Sequence, residues 1–327
     1  MKKFLILPVL AALLAGCATT PSAYGPRQFE GEGFTAVVVA YAPEMQGVLE
    51  TIESKEGATL GEEFEIKGVR YRIGEYRGRP ILIFATGMSI ANAAMTMQMA
   101  FDYFPVEEVV YMGIAGAVNP QWKPGDVIVP ERWYYHDESV YINPAPGQPD
   151  RFILPDYYAA FLAEQPARRE KDPHLPKYEP FGFIHPDEVV VIREGLTEPE
   201  DKAYFSATPR LLEAARRAIE NLPPQTVAGK REAVLTVGGN GVTGSVFVDN
   251  REYRKWLRTV FDAEVTEMES AAIGQVCWIN GVDWVIIRAI SDLAGGQEGV
   301  NEENLYDVDA SLVGAEVLFA LLDELSD

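Results

Sequence analysis

Glu267 and Glu269 flank Met268 in Thr266-Glu267-Met268-Glu269-Ser270, directly before the apolar run Ala271-Ala272-Ile273. A carboxylate buried without a partner is costly or takes up a proton. These acids therefore either face solvent or hold something. On extended chain, residues at i and i+2 share a face, and two carboxylates there are good acceptors for vicinal hydroxyls. Met268 would lay an apolar, polarisable surface between them. The alternative is a helix start whose dipole the acids complement. Two further acids stand at comparable places: Glu44 in Tyr41-Ala42-Pro43-Glu44 and Asp292 after Ser291. Asp292 also fits a helix cap.

The elements that must position these residues follow from the apolar pattern. Phe34 to Ala40, Pro80 to Ala85, Val106 to Met112 and Asp283 to Ile290 are continuous β-branched or apolar runs, as buried strands are. Asp126 to Val129 is a shorter one, and Val265 ends another. Ser89 to Phe101 has helical periodicity, with Met95, Met97 and Met99 as packing residues. Ser270 to Asn280 is a helix stopped by Gly281, and Ala310 to Leu325 is a terminal amphipathic helix. The strand ending near Val265, the helix and the strand from Asp283 read as a right-handed βαβ unit. The expected fold is a single α/β domain whose central mixed, largely parallel sheet is flanked by helices. Ligands of such sheets sit outside the carboxyl ends of the strands. Glu44, Thr86-Gly87, a glycine-rich turn at Gly113 to Gly116, Glu267 to Glu269 and Ser291-Asp292 all follow strands. This places the paired acids at the mouth of a cleft.

The chain has 327 residues, 47% hydrophobic and 24% charged, as a globular domain has. A net charge of −21 argues against nucleic acid or anionic lipid headgroups as partners. Residues 1–16 read as a secretory signal, and Leu14-Ala15-Gly16-Cys17 resembles the bacterial lipobox, with Cys17 the lipidated residue. An ordinary signal peptide with a spare cysteine is the alternative. Residues 17–32 form a polar tether, and the domain proper spans 33–327. The address this implies is a bacterial cell envelope, lipid-anchored, on the periplasmic face of the outer membrane. With Cys17 lipidated, Cys277 has no disulfide partner and reads as a small buried hydrophobe. Between about 138 and 231, tyrosine, proline and charge dominate, as in a large surface insertion, although Ala207 to Asn221 reads as a helix of the main fold. His136, His174 and His185 lack metal-ligand spacing, and no metal or cofactor is expected.

"VTEMESAAIGQVC" followed by "WVIIRAISD" resembles the signature pair of the nucleoside phosphorylase and nucleosidase superfamily. "IFATGMSIANAA", "VVYMGIAGAV…KPGDVIVP" and "YYHD" are similar to its methylthioadenosine/S-adenosylhomocysteine nucleosidase branch. "GNGVTGSVFVDNREYRKWL" also resembles the bark and vegetative storage proteins of that superfamily. The resemblance implies a cleft that breaks the N-glycosidic bond of a purine nucleoside in the setting of nucleoside metabolism and purine salvage. Cleavage passes through an oxocarbenium-like ribosyl cation and needs a cation stabiliser, a leaving-group acid and a nucleophile. By resemblance Glu269 accepts from the ribose 2′- and 3′-hydroxyls, Met268 lies under the sugar and Glu267 supports. Asp292 serves purine N7, oriented by Ser291. Glu44 positions and deprotonates the attacking water, with Thr86, Gly87 and Arg288 at the same place.

Phosphorylases of this superfamily hold phosphate with an arginine in an early turn and another before the glycine-rich strand end. Here those places are Tyr41-Ala42-Pro43-Glu44 and Tyr111-Met112, which offer a dianion no cation. Water is therefore the expected nucleophile. Where the minimal nucleosidase sets an aromatic residue against the base, this chain has Val242-Thr243, with Phe247 as the replacement. A phosphate-dependent phosphorylase and a non-catalytic nucleoside-binding lipoprotein are the competing readings. A small-molecule nucleoside is the expected partner, the membrane is met only through the anchor, and a homodimer is possible.

Overall fold

The computed structural model describes residues 33–227, 231–299 and 303–326, so the expected signal, Cys17 and the whole of the tether lie outside the described residues. Strand β1 (Phe34–Val39) leads into α1 (Ala42–Glu53), with Pro43 in its first turn, where a missing N–H costs nothing. Strands β2 (Ala58–Ile66), β3 (Val69–Tyr76) and β4 (Arg79–Ala85) form an antiparallel meander that the sequence reading passed over apart from β4. Its signals are two tight turns: Lys67-Gly68 and Arg77-Gly78 have positive φ at both residues, the condition of a type I′ hairpin. Helix α2 (Ile90–Tyr103) follows. It buries Met97 in the core, but Met95 is 64% exposed, so the reading of that methionine as a packing residue is corrected.

Strand β5 runs from Val106 to Ala117, through the expected turn at Gly113 to Gly116. The glycines are there for close approach. A Cβ on Gly113 would fall 2.2 Å from Arg288 Nη1 and 2.7 Å from Glu44 Oε1. Next come β6 (Val127–Val129) and β7 (Arg132–Tyr135). Three small two-stranded sheets and α3 (Asp156–Lys171) occupy most of residues 139–202. The chain rejoins the main sheet at β8 (Phe205–Ser206), which pairs with β7, and α4 (Pro209–Asn221) packs on the terminal helix. The rest is β9 (Leu235–Val237), β10 (Asn240–Thr243), α5 (Arg251–Phe261), β11 (Ala263–Glu267), α6 (Ser270–Asn280), β12 (Asp283–Asp292) and α7 (Glu303–Ser326). Helix α7 begins seven residues before the expected Ala310. Gly281 stops α6 in the left-handed conformation, as read.

The architecture is α/β, a twelve-stranded mixed sheet with helices against it and the order β8-β7-β10-β11-β5-β1-β4-β3-β2. Strand β12 lies parallel to β5 and antiparallel to β6, which pairs in turn with β9. The expected βαβ unit is corrected: β11 meets β5 antiparallel at Gly116 and Ala117, whereas β12 is parallel to β5. The cause is the length of β5. One edge serves β1 through Tyr111 and then, where β1 has ended, β11.

Candidate active site

The carboxyl ends of β1, β5, β11 and β12, the turn after β4 and the loop after β10 converge on one open cleft. Glu44, Ile114 to Gly116, Glu267 to Glu269, Ser291 and Asp292 line it, and Tyr41, Met88 and Val246 to Val248 complete its walls.

Glu44 folds back from the first turn of α1. Its Oε2 accepts from the Ala40 N–H at 2.6 Å and its Oε1 from the Ile114 N–H at 2.8 Å. Burial pushes its proton affinity up, and Arg288 and the backbone donors pull in the opposite direction. Glu267 ends β11 and is saturated. It accepts from Thr243 Oγ1, from the N–H groups of Glu269 and Ser270, from Ser270 Oγ and from Arg288 Nη2. Glu269, at the N-cap of α6, accepts from the Ser89 N–H at 2.7 Å and sits 3.4 Å from Arg288 Nη2. Burial, then the Glu267 charge, push Glu269 up to about 8. Both acids are over 90% buried, on the floor of the cleft and not at its mouth.

Arg288 is the guanidinium between them. It donates to Ser270 Oγ, to the Ile114 carbonyl at 3.0 Å and to both acids, and its ion-pair distance to Glu44 is 4.0 Å. The Tyr111 ring stacks beneath it at 4.6 Å. Burial works against its charge, but Glu267, Tyr111 and Glu269 together drive its proton affinity up. It lies behind the lining and is fully buried, so its donors are spent on protein acceptors. Three carboxylates thus share one cation. At about 4 Å such pairs interact far more strongly than in water, and the surplus acid is what holds a proton.

At the opposite wall Ser291 Oγ donates to Asp292 Oδ2 at 2.9 Å, and the Ala294 N–H donates to Oδ1 at 2.7 Å. Arg254 Nε holds the Ala117 carbonyl at 2.7 Å beside this turn. The cap-like bond to Ala294 therefore coexists with an acid that lines the cleft.

Other expected residues fall elsewhere. Thr86 is buried with its hydroxyl on the Gly87 carbonyl at 2.9 Å, and Thr86 and Gly87 line a separate hollow behind Tyr41. Val242 packs in the core and Thr243 ties Glu267 to the Ala271 N–H. Neither lines the cleft, because β10 is still paired on both edges there. Phe247, beyond the strand and 56% exposed, does line it. The sequence reading missed Tyr41, Met88, Ser89 and Val248. Tyr41 and Met88 could have been found by their places directly after β1 and β4. Among the described residues no cluster of His, Cys, Asp or Glu could hold a metal ion, and no helix is long and apolar enough to cross a membrane.

Residues 35–325 match the family described as the phosphorylase superfamily. A 5′-methylthioadenosine/S-adenosylhomocysteine nucleosidase of Mycobacterium bovis is 25% identical over 264 residues, covering 80% of this chain and 88% of the relative. The enzyme of the same name from Shewanella denitrificans is 26% identical over 88% of this chain and 98% of its own. Among solved structures, Helicobacter pylori 5′-methylthioadenosine/S-adenosylhomocysteine nucleosidase superposes with a TM-score of 0.64 at 20% identity, over 90% of this chain and all of that one. Futalosine hydrolase from the same organism gives 0.63 at 20% identity, over 89% and 98%. These likenesses extend to the fold.

Proposed function

The chain belongs to the phosphorylase superfamily, and on that footing we propose that it is a purine nucleosidase. It hydrolyses the N-glycosidic bond of a purine nucleoside and releases base and ribose. The relatives' names point to methylthioadenosine- or S-adenosylhomocysteine-like nucleosides as the first substrates to try.

The observation that carries the reading is the charge of the cleft. Among the described residues its lining holds Glu44, Glu267, Glu269 and Asp292 and no lysine or arginine, and Arg288 behind it is committed to protein acceptors. A phosphate dianion would enter a cavity whose described lining is negative, whereas water is a neutral nucleophile. In the proposed cycle the sugar lies over Met268 with its 2′- and 3′-hydroxyls donating to Glu269. Those donors favour ionised Glu269, which then opposes the positive charge that grows on the ribosyl ring. As C1′–N9 breaks, its electron pair goes to the base, and Asp292 supplies the proton or hydrogen bond at N7. Water adds to C1′ and its proton passes to Glu44. Phe247 and Val248 flank the base and Ser291 holds Asp292 in place.

Ribose release from a purine nucleoside is expected at the same rate with and without phosphate. Strict phosphate dependence with ribose 1-phosphate as product would sink the hydrolase reading. We also infer that Cys17 is acylated and tethers the domain to the periplasmic face of the outer membrane, as its lipobox-like context supports. The expected outcome is a mature N-terminus at Cys17 carrying acyl chains by mass spectrometry. An unmodified chain cleaved elsewhere removes the anchor.

A further inference from the structure

Ser89 opens α2 at the rim of the cleft with φ 81° and ψ 155°. Glycine enters that region freely, and a residue with a Cβ is held there only when its surroundings over-determine it. Two contacts do so. The Ser89 N–H donates to Glu269 Oε1 at 2.7 Å, and the Ser89 hydroxyl donates to Ser245 Oγ at 3.3 Å. Ser245 stands on the opposite lip, next to Val246 and Phe247, and its own N–H is fixed on Asp137 Oδ2 at 2.6 Å. A glycine at 89 would present the same N–H without strain. What the serine adds is the tie across the cleft, which stops the peptide from turning its N–H away from Glu269.

We propose that Ser89 is a positioning residue for Glu269, its side chain tied to Ser245 so that its N–H fixes the carboxylate that reads the sugar diol. The inference rests on the nucleosidase reading, which makes Glu269 the diol acceptor. Glu269 is faced by Glu267 on β11, Arg288 on β12, Glu44 on α1 and Tyr111 on β5. The acids outnumber the cation, so a neutral donor is what can orient Glu269 further. The Ser89 N–H also favours the ionised form.

The test is calorimetric titration of the whole protein with adenosine and with 3′-deoxyadenosine, in an Asp292→Asn background so that the ligand survives. Ser89→Gly should lower the preference for adenosine by about tenfold, the order of one charge-assisted hydrogen bond. Ser245→Ala should lower it by less and add little on top of Ser89→Gly. In otherwise wild-type protein, Ser89→Gly should also move the Glu269-dependent limb of the pH–rate profile upward. A merely structural serine predicts a changed melting temperature with preference and pH profile unmoved. A preference retained within about twofold, or none in the parent protein, overturns the proposal. Failure of the nucleosidase reading shows separately, as absent ribose release by the wild-type protein while the binding preference still reports on Ser89.

Discussion

The cleft and the stretch between β7 and β8 each bury carboxylates beside an arginine, and they balance the charge differently. In that stretch Glu188 accepts from Arg168 Nη2 at 2.8 Å and from the Tyr178 hydroxyl, while Asp187 accepts from the Tyr158 hydroxyl at 2.9 Å. One buried acid meets one cation, and Arg168 keeps 31% of its side chain in solvent. Burial and then Glu188 push the Tyr178 phenol up, so the proton stays on the tyrosine and the pair is a fixed link. In the cleft, Glu44, Glu267 and Glu269 share Arg288, itself 1% exposed. Arg288 divides its donors among Ser270, the Ile114 carbonyl and the acids, and burial, then the Glu267 charge, raise Glu269 to about 8 against its pull. A matched pair holds structure together. An unmatched acid is poised to respond to what binds, which is why perturbed groups gather at functional sites.

The largest break in this comparison should come at Asp292, the acid on the opposite wall of the cleft. Asp292→Asn keeps the shape and the bond from the Ala294 N–H but cannot deliver a proton. Turnover should fall about 10²-fold or more, in line with general-acid contributions, with binding little changed. Near-normal turnover on purine nucleosides would remove Asp292 from the chemistry.

Next is the surplus acid itself. Glu269→Gln keeps the acceptor but loses the charge that opposes the ribosyl cation, so kcat should fall by about tenfold or more while KM changes less. Stability should change in a direction that depends on pH. The folded value of about 8 lies above the ordinary 4.5. Between those limits the folded protein keeps a proton that the unfolded chain has released. Stability from this group is therefore greatest and level below pH 4.5, falls as pH rises toward 8 and is level again above. Melting temperatures across that window should slope downward in wild type and flatten in Glu269→Gln. A destabilised variant with unchanged kinetics would return Glu269 to an ordinary helix start.

The acids that line the cleft were more legible in the sequence than the elements that carry them. Glu44 and Asp292 each follow a strong apolar run and Glu269 follows the weaker strand-like stretch that ends at Val265, so a strand-end rule brings them together without knowledge of topology. Arg288 was legible as a residue but not as a buried counter-charge, because its partners Glu267, Ser270 and Ile114 lie on other elements. The β2–β3 hairpin was missed since its solvent-facing, charge-rich strands lack a buried run, and only its two-residue glycine turns announce it. Val242 and Thr243 were misplaced for a geometric reason: pairing on both edges carries β10 past them, and the cleft begins only at the following loop. Gly113 to Gly116 read as a turn because glycine marks turns more often than close approach, and the approaching side chains came from β12 and α1.

The smallest effect on activity is expected at the matched pair, and it sharpens the comparison most directly. Glu188→Gln preserves size and leaves an amide to meet the Tyr178 hydroxyl, but it removes the charge that Arg168 answers. Because Arg168 is partly in solvent, the orphaned cation can be hydrated, so the loss should be that of a hydrogen-bonded charge at about 1–3 kcal/mol, below the cost of stranding a fully buried ion. That loss should appear as a lower melting temperature or urea midpoint with an unchanged m-value. Neither Glu188 nor Arg168 lines the cleft, so kcat and KM should stay at wild-type values wherever the protein is folded. A kinetic defect in Glu188→Gln at full folding would mean that the region between β7 and β8 acts on the cleft. The contact to suspect would then be Asp137, which lies at the start of that region and holds the Ser245 N–H on the cleft loop.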